Sequence, residues 1–121
     1  MSRKYPITKS FLFAISGLKS ALIREPNFRI HTIAAILALS AAYFLNFNLL
    51  EWLILAITIF LVITFELLNT VLESLVNLIS PELSLEAKMA KDVSAAAVLV
   101  SAVFSVIVGA ILFLPKIIHL L

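Results

Sequence analysis

Cysteine is absent from the chain, which removes disulfides and thiol chemistry at once and leaves the redox compartment unmarked. Glycine is almost absent: Gly17 and Gly109 are the only two, so neither a Walker A loop nor the glycine-rich loop of protein kinases can be built. Charge is scarce as well, at 13% of the 121 residues against 63% hydrophobic. The mean hydropathy of +1.16 lies well outside the range of soluble globular domains. No internal repeat or low-complexity segment occurs, which argues against a duplicated transporter. The first thirty residues lack the compact apolar core and small-residue cleavage site of a signal peptide, so the apolar runs that follow are expected to remain as spans.

What is present reads as an all-α integral membrane protein of one domain, residues 1–121. Three apolar runs approach the roughly 20 residues that a membrane helix needs; they predict spans at about 30–47, 52–76 and 93–114. Ahead of them, Ile7, Phe11, Ile15, Leu18 and Leu22 share one helical face while Lys9, Ser16, Lys19 and Ser20 take the other. This pattern predicts an amphipathic helix over 7–24 lying in the membrane surface, or packed on its own bundle. Pro26 ends that helix and suits the first turn of the next, which puts Glu25 at a joint. Ser80-Pro81-Glu82 breaks the later helix, and Ser84 is placed to cap a last one that starts LEAKMAKD. Six of nine basic residues, Arg3, Lys4, Lys9, Lys19, Arg24 and Arg29, precede the first predicted span. They predict a cytoplasmic N-terminus and 80s loop, with Lys116 and His119 outside, and are a grip on anionic lipid and not a nucleic-acid footprint. His31 at the membrane edge reads as a polar edge residue and receives no role.

The second span contains what a hydrocarbon-facing helix should not. Glu66, Asn69, Glu73 and Asn77 follow one another at i, i+3, i+7 and i+11, which gathers them with Thr70 within roughly one third of the circumference. An ionised carboxylate there costs several kcal/mol unless it meets protein, water or a cation. Amides and hydroxyls alone could be packing glue between helices, but two carboxylates on one stripe repel unless something positive is shared between them. About 20 residues of rise from Trp52 bring the chain to the inner boundary near Asn69 to Glu73, within reach of cytosolic solutes. Glu25, Lys91 and Asp92 are expected at the same depth. Hard oxygen ligands, candidate bases and a point cation suit Mg²⁺ held together with substrate phosphates, and hence phosphoryl transfer. A small ion pathway and a non-enzymatic membrane oligomer are the competing readings.

The segments GLKSALIREPNFRIH, EWLILAI, FELLNTVLESLVN, AKMAKDVSAAAVL and LPKI, in order and spacing, resemble the prokaryotic diacylglycerol kinase family and its undecaprenol kinase branch. The resemblance spans almost the whole chain. It implies a homotrimer that transfers the γ-phosphoryl group of MgATP to a lipid hydroxyl, undecaprenol or diacylglycerol, at the cytoplasmic face of the inner membrane. It implies sites shared between neighbouring subunits. By matching position it implies Glu66 as catalytic base supported by Asn69, and Glu25 and Glu73 as ligands of Mg²⁺. It places Asn77, Glu82, Leu83, Ser84, Lys91 and Asp92 at the nucleotide, and Lys19, Leu22, Phe28 and Arg29 along the lipid's path to Glu66. One departure stands out: the family's aspartate one turn after the metal glutamate is here Asn77, which cannot offset cationic charge. Weakened nucleotide or metal retention is therefore expected, with a catalytically impaired homologue as the alternative.

Overall fold

The computed structural model describes residues 5–82 and 84–121. Arg3 and Lys4, counted above toward orientation, and Leu83 lie outside the described residues. The chain forms four helices, α1 (Ile7–Arg24), α2 (Pro26–Phe44), α3 (Leu49–Ile79) and α4 (Leu85–Leu120), with no strand among the described residues. Three of them, α2, α3 and α4, are long and apolar enough to cross a membrane.

Local chemistry sets the boundaries. Pro26 opens α2 at its first turn, where its missing N–H costs nothing, and Glu25 in extended conformation is the single residue between α1 and α2. The helix carrying the first predicted span therefore begins at Pro26, so that Arg29 and His31 lie inside it. It ends at Phe44, which leaves 45–47 outside the helix. Asn46 then adopts a left-handed backbone (φ 56°), a conformation that asparagine tolerates better than most residues. Asn48 caps α3 through a reciprocal pair: its side chain accepts from the Glu51 N–H, and the Glu51 carboxylate accepts from the Asn48 N–H, both at 2.9 Å. Ser84 caps α4 by accepting from the Ala87 N–H at 3.1 Å, the role its position predicts.

Buried apolar residues cluster at the end where α2 turns into α3. Ala42, Phe47, Leu55 and Leu112 are buried together there, with Trp52 and Phe113 against them. Phe47 lies off the helix and fills this core, its ring centroid 4.9 Å from that of Phe113 in a tilted contact and 6.0 Å from that of Trp52 in an edge-to-face one. Lys116 closes the cluster, its ammonium 2.9 Å from Glu51 and 5.4 Å above the Phe47 ring. Along the spans, the hydroxyls of Thr32, Ser40, Thr58, Thr70, Ser101 and Ser105 each donate to a carbonyl of their own helix. That is how an apolar helix carries hydroxyls without leaving them unpaired. At the opposite end the helices part, and grooves open between them.

Candidate active site

Two buried side-chain oxygens have no hydrogen-bond partner among the described residues: Glu66 Oε1 and Asn69 Oδ1. In a bundle whose buried hydroxyls are matched to carbonyls, unfilled acceptors mark a place that something else completes. Both lie on the polar stripe of α3. The stripe is tied along its length, since Asn69 donates its amide N–H to the Glu73 carboxylate at 3.1 Å and Thr70 donates to the Glu66 carbonyl at 3.1 Å. The Glu66 side chain is 4% exposed and meets His31, whose Nε2 stands 3.2 Å from Oε1. That is ion-pair distance, without the geometry of a hydrogen bond. Glu25 and Glu73 are near enough to act on Glu66 through their charges.

A groove of about 920 Å³ runs between α1 and α3, with Glu25, Glu73, Ser74, Thr70 and Asn77 on its walls. The joint before Pro26 delivers Glu25 to one side and the stripe delivers Glu73 to the other. No group of three or more carboxylates or histidines able to hold a metal occurs among the described residues. Two carboxylates facing one groove nevertheless suit Mg²⁺, which keeps waters and substrate phosphates in its remaining positions. Lys91 reaches across from α4, its ammonium donating to the Asn77 side-chain oxygen at 2.5 Å. Asp92 turns the other way and pairs with Lys88 at 2.6 Å, so the adjacent Lys91 and Asp92 point to different partners. Glu82 is exposed, and its carbonyl accepts from the Ser80 hydroxyl at 2.6 Å. Ser84 spends its hydroxyl on the α4 cap. Leu83 is not among the described residues.

The residues expected along the lipid's path are divided. Lys19 and Leu22 are exposed on α1, whereas Phe28 is 3% exposed and packed inside. The Arg29 guanidinium folds back on α1 and donates to the carbonyls of Leu22 and Ile23 at 3.1 and 2.8 Å, satisfying last-turn acceptors that the helix leaves open. Sequence reasoning missed His31 as a neighbour of Glu66. No local signal carries that contact, because the two residues come from different helices.

The profile of the prokaryotic diacylglycerol kinase family matches residues 12–113. A diacylglycerol kinase of Synechocystis is 42% identical over 113 residues, 93% of this chain and 65% of that protein. The undecaprenol kinase of Bacillus subtilis is 40% identical over 108 residues, covering 89% of this chain and 88% of its own. A diacylglycerol kinase of Escherichia coli is 33% identical over 106 residues, 88% of this chain and 87% of that one.

Proposed function

Because the chain belongs to the prokaryotic diacylglycerol kinase family, we propose that it is a membrane lipid kinase that phosphorylates the primary hydroxyl of undecaprenol or diacylglycerol with ATP. The observation that carries this reading is the unfilled Glu66 Oε1 on the same stripe as Glu73, one wall of the groove that Glu25 completes. Glu66 lies about 26 Å along the helix axis from Leu49, close to the thickness of the hydrocarbon layer. With Leu49 at the outer boundary, the carboxylate sits near the inner one, where lipid headgroups and cytosolic nucleotide meet. Basic residues of α1 favour that orientation, with the N-terminus cytoplasmic, Lys116 outside and α1 in the surface of the inner membrane.

The lipid hydroxyl oxygen attacks the γ-phosphorus as its proton passes to Glu66. The bond to the bridging oxygen breaks with its electron pair leaving on ADP, which yields lipid phosphate, ADP and protonated Glu66. Glu25 and Glu73 are the residues that would hold Mg²⁺, which when bound shields phosphate charge. Asn69 holds the Glu73 carboxylate in place, and Lys91 presents a point cation to the phosphates from its seat on Asn77. Chemistry of this kind asks the protein mainly to position and neutralise. By family likeness the enzyme works as a homotrimer, and neighbouring subunits close the open side of each groove.

The test is phosphorylation of C55 polyprenol and of diacylglycerol by the purified protein with ATP and Mg²⁺. Glu66→Gln is expected to lower turnover by about 10²–10⁴-fold while ATP binding stays near wild type. Turnover retained in Glu66→Gln would remove the base assignment, and a wild type inactive on both lipids would favour the non-enzymatic reading.

A further inference from the structure

We propose that His31 is a positioning residue for Glu66: its imidazolium balances the buried carboxylate and holds it ready to take the lipid proton. The inference rests on the reading of Glu66 as base. A nearly sealed carboxylate needs a positive neighbour if it is to stay ionised, and its surroundings are otherwise of the wrong sign. Glu25 faces it from the α1–α2 joint and Glu73 from its own helix, both acidic. The cations of α4 are engaged elsewhere, Lys88 with Asp92, Lys91 with Asn77 and Lys116 with Glu51. His31, on α2, is the remaining group acting on Glu66 through its charge, at 3.2 Å from Oε1.

His31 Nε2 stands 3.2 Å from Glu66 Oε1, and an ionised carboxylate, with about four lone-pair sites on its two oxygens, keeps room to accept the lipid proton beside that contact. The ring supplies charge and leaves the carboxylate able to accept. The His31 side chain is 25% exposed, whereas that of Glu66 is 4% exposed. The other side of His31 borders a small cavity of about 190 Å³ lined by Ala34, Ala38, Leu55 and Val62, which offers the ring no competing anion.

The full-length protein in detergent, assayed with ATP and C55 polyprenol, tests the proposal through His31→Ala, His31→Gln and His31→Lys. Losing the charge is expected to lower kcat by about 10²-fold in both neutral variants, with KM for ATP and for lipid little changed. His31→Lys should recover most of the loss, and added imidazole should recover part of it in His31→Ala. In a Glu66→Gln background, His31→Ala should cost nothing further. Wild-type kcat in His31→Gln overturns the inference, as does a loss that neither His31→Lys nor imidazole relieves. Should His31→Ala fail to fold, His31→Gln and His31→Lys, which keep the bulk, decide the matter. Failure of the underlying reading is distinguishable, because it shows as turnover in Glu66→Gln whatever His31 does.

Discussion

Asn77 and Lys91 meet across α3 and α4 with the ammonium donating to a neutral oxygen. The amide therefore seats the lysine without cancelling its charge, which remains available to the proposed nucleotide. From sequence, an aspartate at this position is expected to help by adding a carboxylate near the metal, lowering the KM for MgATP with kcat little changed. The contact argues for the opposite outcome. Asn77→Asp would convert the hydrogen bond into an ion pair and neutralise Lys91, so the KM for ATP should rise about threefold, a partly exposed pair being worth little more. A fall in KM, or in the Mg²⁺ needed for half activity, would instead mean that a carboxylate here reaches the metal. The stripe from Glu66 to Asn77 was legible because all its members share one helix, where spacing translates directly into a face. The pairs His31 with Glu66 and Lys91 with Asn77 were not, because each joins side chains whose meeting depends on how separate helices dock.

Hydropathy located the helices, but caps and packing decided where they begin and end. Pro26 starts α2 before the apolar run does, and the Asn48–Glu51 reciprocal cap starts α3 at Leu49. Phe47, between two asparagines at the end of the first predicted span, lies off the helix and packs its side chain in the core with Trp52 and Phe113. The cap has a measurable worth. Asn48→Ala removes an acceptor from the first turn of α3 and is expected to lower stability by about 1 kcal/mol, read as a lower unfolding midpoint in detergent. Because Asn48 lies at the end of α3 far from Glu66, kcat at low temperature should be unchanged. Lys116→Met should act in the same direction, and combined with Glu51→Gln it should cost less than the separate effects added together, since the two side chains share one contact. Simple additivity would show that these two side chains do not stabilise each other.

Large apolar side chains are exposed over much of this single chain, Phe11, Ile15 and Leu18 on α1 and Phe60, Leu68 and Val71 on α3 among them. Such a surface suits lipid, and the grooves beside α1 and between α3 and α4 are where a neighbour in the proposed homotrimer would fit. Which residues of a site come from which subunit can be argued from the groove itself. Glu25 and Glu73 face the same groove within one chain, so the pair proposed to hold Mg²⁺ needs no second subunit. Glu25→Gln and Glu73→Gln should each raise the Mg²⁺ required for activity, and the double variant should cost less than the two effects combined, because the second change removes a ligand from a site already broken. Mixed oligomers of the two single variants should then show no recovery: each chain carries one damaged carboxylate, and no rearrangement within the assembly brings an intact Glu25 and an intact Glu73 into one groove. Recovery toward the activity expected for one intact site per mixed assembly would mean that α1 and its joint serve the neighbour's α3, and that the groove seen in one chain is rebuilt between chains.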